Sequence, residues 1–206
     1  MKKIMFNDRY GLTAAVLVGC KTMTRRIVKG LNGDADVSEC GLDEKGAYII
    51  DYNDPGEKEF RPMYQVGEVV AIAQSYKFLD YSFHGFATNT SRSCGIKKEF
   101  AEKQKGWDNK MFVEAKFMRH HIKITDIKVE RLQDISDEDC LREGIVEGKF
   151  TNTWDRYYFD TWGDVPNHIT SKTPREAFAA LIDKISGKGT WQSNPWVFAY
   201  SFERID

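Results

Sequence analysis

The sequence lacks the marks of several function classes. Its four cysteines, Cys20, Cys40, Cys94 and Cys140, are scattered. No two stand at C-x-x-C spacing, so neither a zinc knuckle nor a redox dithiol is indicated. There are four histidines. His120 and His121 are adjacent, so on a strand they face opposite ways and do not chelate one ion together. His84 and His168 have no cysteine or acid at ligand spacing. No metal and no cofactor are therefore expected. No apolar run approaches the roughly 18 residues that span a bilayer. The opening Met1-Lys2-Lys3-Ile4-Met5-Phe6-Asn7-Asp8 turns polar too quickly for a signal peptide. Reduced thiols, a cytoplasmic location and no membrane partner are the expectation. The glycines of Gly30-Leu31-Asn32-Gly33 match neither a dinucleotide fingerprint nor a P-loop.

What is present describes an ordinary folded chain of 206 residues, 41% hydrophobic and 30% charged, with a formal net charge of -1. That balance argues against a large duplex-binding surface. The distribution of charge is more informative. Residues 1–33 hold Lys2, Lys3, Arg9, Lys21, Arg25, Arg26 and Lys29 against Asp8 alone. Residues 34–59 are acidic, and residues 92–123 are basic again. Such asymmetry suits a local positive face for nucleic acid or nucleotide phosphate, or alternating solvated surfaces.

Local patterns predict the elements. Ile4-Met5-Phe6 reads as a short buried strand. Asn7 or Asp8 can cap a helix that Gly19 stops. Tyr48-Ile49-Ile50 is the only convincing strand seed in 29–60, which reads as an excursion from the core. Val69-Val70-Ala71-Ile72-Ala73 is a buried strand candidate. Residues 80–110 read as a long surface insertion. Met111-Phe112-Val113 reads as a strand start, and residues 122–132 alternate as a strand does. Ser136 caps a short helix ended by Gly144. Thr173-Pro174-Arg175-Glu176 is a stronger helix start, with Pro174 at the first turn. Phe178, Leu181, Ile182 and Ile185 then form an apolar stripe. Residues 196–202 close the chain as a strand.

The densest chemistry lies in Gly19-Cys20-Lys21-Thr22-Met23-Thr24-Arg25-Arg26, where a lysine, two threonines and two arginines follow a predicted helix end. Four segments in order then resemble ASCH-domain proteins of the PUA-like superfamily. They are Gly19-x-Lys21-Thr22-x-Thr24-Arg25-Arg26, Tyr64-Gln65-Val66-Gly67-Glu68, the stretch from Ile124 to Ser136, and Trp191-x-Ser193-Asn194-Pro195-Trp196-Val197. The nearest likeness is to an uncharacterised group common in prophages and gut bacteria. The resemblance implies an α+β fold: a small mixed PUA-like β-barrel of about five to seven strands with two or three flanking helices and long loop excursions. It implies a single domain over 1–206, with excursions at 29–60 and 80–110. It also implies a groove for single-stranded RNA, a nucleotide or a modified nucleoside.

Some small relatives resemble amidohydrolases acting on N4-acetylcytidine, with a lysine, a threonine and a glutamate at the site. Carried over by motif, the lysine is Lys21 and the threonine Thr24, while the glutamate position holds Gln74. Glutamine reads a base edge or amide but accepts no proton. Its presence removes a shuttle worth about 10²–10⁴-fold.

The residues carry their own alternatives. Lys21 beyond a helix end suits a phosphate, and burial would instead favour a neutral amine. Thr24 is a nucleophile only beside a base, and in a strand it would face away from Lys21. Arg25 and Arg26 offer guanidinium forks to phosphate or to internal carboxylates, and the resemblance, whose motif keeps an arginine at that position, implies that Arg25 is the inward one. Tyr76 and Trp191 are candidate stacking surfaces or packing residues. The expected pocket is thus Lys21, Thr24, Arg25, Arg26, Gln74, Tyr76 and Trp191, with Lys21 and Thr24 catalytic only in an enzyme. A non-catalytic accessory protein of mobile-element origin fits the same residues.

Overall fold

A computed structural model describes residues 1–31, 39–52, 57–81, 101–149, 155–159 and 171–206. His84, Cys94 and His168 lie outside them, as do parts of both expected excursions. The architecture is mixed α+β. Its strands include β1 (Lys3–Ile4), β2 (Met23–Ile27), β6 (Val69–Ile72), β7 (His121–Arg131) and β10 (Trp196–Arg204). The chain divides into two compact units. Strand β7 begins in one and continues into the other.

The first unit comprises Met1–Phe6, Val69–Lys123 and Arg204–Asp206. Strand β1 runs parallel to β6, and β6 antiparallel to the start of β7. Ala71, Tyr76, Leu79, Ala101, Val113 and Met118 form its core, with Trp107, Ala115 and Phe117 packed against them. Tyr76 and Leu79 come from helix α2 (Tyr76–Tyr81). Residues 101–110, expected in a surface insertion, thus supply core contacts. Gly106 makes this possible. A Cβ there would lie 2.6 Å from the Tyr76 ring and 2.9 Å from Val113.

Met111-Phe112-Val113 does not start a strand. Lys110–Phe112 form a 3-10 turn, capped by the Asn109 side chain, which accepts from the Met111 amide at 3.0 Å. Lys3 Nζ donates to the carbonyls of Lys110, Met111 and Val113 at 3.2, 2.6 and 2.7 Å. A lysine distant in sequence satisfies these acceptors, so the turn needs no strand partner.

The second unit comprises Asn7–Glu68 and Ile124–Glu203. Asn7 caps a 3-10 turn at Asp8–Tyr10, and α1 (Leu12–Leu17) follows. Gly19 leaves the helix in the left-handed region at φ 81°. Strand β2 pairs antiparallel with β10, with Thr24 opposite Tyr200. Ser136 caps α3 (Asp137–Arg142) through the Asp139 amide at 3.1 Å. Thr173 caps α4 (Pro174–Ser186), whose buried Phe178, Leu181 and Ile182 follow the predicted stripe. A one-turn helix α5 (Thr190–Ser193) leads into β10.

Residues 39–60 are more ordered than an excursion. Strands β3 (Glu39–Asp43), β4 (Gly46–Asp51) and β5 (Lys58–Phe60) make an antiparallel three-stranded sheet. Only β4 alternates cleanly, burying Ala47, Ile49 and Asp51, which is why it alone was legible. A further hairpin, β8 (Ile145–Lys149) with β9 (Asp155–Phe159), was not anticipated.

Candidate functional site

The Gly19–Arg26 cluster lies wholly in the second unit. Lys21 follows the left-handed Gly19, and its amide donates to the Ala15 carbonyl at 3.0 Å. This bond turns the chain back from α1 and directs the lysine inward. The residue is 2% exposed. Lys21 Nζ donates to Glu143 Oε2 at 2.5 Å and to the Glu143 main-chain carbonyl at 2.7 Å. Gly144, at φ 99°, packs against the lysine stem, with Lys21 Cβ 3.6 Å from where its Cβ would stand.

Arg25 is buried on the same carboxylate. Its Nη1 donates to Glu143 Oε1 at 3.2 Å, its Nη2 to Asp139 Oδ2 at 3.0 Å, and its Nε to Glu130 Oε1 at 2.7 Å. Asp139 also receives Arg142 Nη1 at 3.2 Å, and Arg142 Nη2 reaches Ser201 Oγ at 3.0 Å. Three cations, Lys21, Arg25 and Arg142, therefore face three carboxylates, Glu130 from β7 and Asp139 and Glu143 from α3 and its end. Burial lowers the Lys21 pKa, and Glu143 only partly offsets this. Burial pulls on Arg25 too, but Glu143 and Glu130 outweigh it and raise its pKa. Such a cluster tolerates loss of a member poorly, because the remaining charge is stranded without solvent.

Alternation along β2 separates the predicted residues. Met23 and Arg25 share one face, with Arg25 Nη1 3.1 Å from Met23 Sδ. Thr24 and Arg26 take the other. Thr24 is buried beside its cross-strand partner Tyr200. Tyr200 stacks edge-on against Tyr64 at 5.4 Å between ring centres, and its hydroxyl accepts from the Met63 amide at 3.0 Å. Burial pushes the Tyr200 pKa up to about 12. Arg26 is half-buried. The structure thus brings Lys21 and Arg25 together on Glu143 and turns Thr24 and Arg26 away from Arg25.

Trp191 is spent on packing. Its ring meets Phe178 edge-on at 6.2 Å and lies beneath the Arg175 guanidinium at 5.5 Å. Its carbonyl accepts from Gln133 Nε2 at 2.8 Å.

Gln74 and Tyr76 belong to the first unit. Tyr76 is 8% exposed in the core described above, its ring 6.2 Å from Phe117. Gln74 follows β6 and is 2% exposed. Its amide donates to Met118 Sδ at 3.2 Å. Its side-chain Oε1 is buried and has no hydrogen-bond partner among the described residues. A buried amide oxygen without a donor carries a desolvation cost of about 1–3 kcal/mol, so each such group calls for an explanation.

Sequence reasoning missed Glu143, Glu130 and Asp139. Glu143 lies 122 residues from Lys21, and no local pattern links them. Glu68 is a turn residue whose Oε2 accepts from the Gln65 amide at 3.0 Å. Among the described residues no group of His, Cys, Asp and Glu could hold a metal ion. No helix among them is long and apolar enough to cross a membrane.

Compared with family models, with curated proteins and with solved structures, the chain finds no match.

Proposed function

We propose that the protein is a PUA-like module that binds a nucleoside or nucleotide, and that Gln74 is the residue that reads it. The observation carrying this reading is the Gln74 Oε1 atom, buried without a donor among the described residues. A ligand N–H would complete it, and exocyclic amines of bases supply such donors. Lys21 and Arg25 enter this reading as the frame that fixes β2, since their charges already meet Glu143, Asp139 and Glu130.

The test is a calorimetric titration with cytidine, adenosine and N4-acetylcytidine. Wild-type protein is expected to bind at least one saturably. Gln74→Leu is expected to weaken that binding by about tenfold or more, the cost of one lost hydrogen bond to a buried group. Unchanged affinity in a folded Gln74→Leu variant would defeat the reading.

A second reading is an amidohydrolase on an N4-acylated cytidine. The Lys21–Glu143 contact favours it, because it supplies beside the lysine the carboxylate that position 74 lacks. Water would add to the acyl carbon, the C–N bond would break, and the amine would leave with the proton. Thr24 lies on the opposite face of β2 from Arg25 and its Glu143 partner, so water and not the Thr24 hydroxyl is the nucleophile in this reading. Measured turnover of N4-acetylcytidine, lost in a Glu143→Gln variant shown by circular dichroism to remain folded, would establish it. Turnover that survives Glu143→Gln would remove it.

A further inference from the structure

The two units differ sharply in charge. The first holds thirteen Lys and Arg against six Asp and Glu, so its formal charge is +7, while the rest of the chain carries -8. The whole-chain value of -1 conceals this. Within the first unit the described basic residues concentrate at 101–123, where Lys103, Lys105, Lys116 and Lys123 are exposed.

Apolar side chains stand out beside these cations. Met111 is 58% and Phe112 53% exposed, both on the 3-10 turn. Lys105 Nζ lies 5.7 Å from the centre of the Phe112 ring. Lys116 Nζ lies 4.9 Å from the centre of the Phe117 ring. The turn that carries Phe112 is fixed from below. Lys3 holds three of its carbonyls, Asn109 caps it, and the buried Lys110 amine donates to the Phe6 carbonyl. The buried Lys110 and the half-buried Lys3 thus hold one aromatic ring in water.

We infer that this surface, Phe112 with Lys105 beside it, binds single-stranded nucleic acid. An exposed ring offers a face to any base, and flanking cations meet the backbone phosphates. A rigid turn lowers the ordering cost of binding. A duplex hides its base faces and would leave Phe112 unused. An anionic membrane is the competing polyanion, but its usual ligand is a longer amphipathic helix rather than one 3-10 turn. The inference goes beyond the Gln74 reading. That reading is scored on free nucleosides and this one on strands, so either can fail without the other.

The experiment is fluorescence anisotropy of the full chain with a labelled single-stranded uridine oligonucleotide across a salt series. A duplex of equal length and anionic phospholipid vesicles serve as parallel probes. Phe112→Ala, with its ring already half in solvent, is expected to fold normally and to bind the single strand about tenfold more weakly. Lys105→Gln is expected to lessen the slope of log K against log salt by about 0.7. Absence of single-strand binding would overturn the inference. So would binding that both variants retain in full, or tighter binding to duplex or vesicles that Phe112→Ala abolishes.

Discussion

Two groups of cations in this protein look alike in sequence and live in opposite surroundings. Lys21, Arg25 and Arg142 in the second unit are answered by Glu143, Glu130 and Asp139 at hydrogen-bond distance. Lys105 and Lys116 in the first unit lie in solvent beside aromatic rings, Lys116 meeting the equally exposed Glu114 at 2.8 Å. The difference separates charge used to hold the fold from charge available to a ligand. A lysine neutralised internally contributes little to counterion release on binding. An exposed one contributes fully.

The largest expected effect breaks the internal group. Glu143→Gln leaves Lys21 and Arg25 facing a neutral amide, and a loss of about 3–5 kcal/mol in unfolding free energy is predicted. Urea denaturation would measure it. A loss under 1 kcal/mol would mean the cluster is solvated, contrary to the burial of Lys21.

A smaller loss follows from overfilling the first unit. Gly106→Ala drives a methyl into the Tyr76 ring and Val113 and is expected to cost about 1–3 kcal/mol. Thermal unfolding that leaves the midpoint unchanged would show that Tyr76 can move aside.

Gln74→Leu is predicted to change stability in the other direction. Removing a buried oxygen that has no donor should stabilise the free protein by about 1–2 kcal/mol while nucleoside binding falls. Destabilisation instead would mean that Gln74 has a structural partner.

The pH dependence sharpens the contrast within the second unit. Burial of Tyr200 raises its folded pKa to about 12, so the folded state retains a proton that the unfolded chain loses near 10. Its contribution is complete below about pH 10 and is lost as pH rises towards 12. Burial likewise pushes the Cys140 thiol up to about 12, whereas Cys20 and Cys40 are exposed. A disulfide reagent at pH 8 should label Cys20 and Cys40 rapidly and Cys140 only on unfolding. Rapid labelling of Cys140 in native protein would contradict the packing of α3.

Much of the local structure was legible because its causes are local. The Thr173 cap, the Pro174 first turn, the Ser136 cap and the alternation along β7 each rest on residues within a few positions of one another. What was illegible depends on distant partners. Residues 110–113 resemble a strand, yet Lys3 satisfies their carbonyls and holds a turn. Strands β3 and β5 have little apolar pattern of their own and are ordered by pairing with β4. Lys21 and Arg25 were identifiable as important cations, but their acids come from β7 and α3. The motif therefore singled out two cations that prove to be buried and left open whether they face a ligand or one another.

The most direct measurement is the salt dependence of single-strand binding in Lys105→Gln and in Lys21→Met, compared side by side with wild type. The account predicts a slope reduced by about 0.7 for Lys105→Gln and unchanged for a folded Lys21→Met. The reverse, a reduced slope for Lys21→Met with Lys105→Gln like wild type, would contradict it.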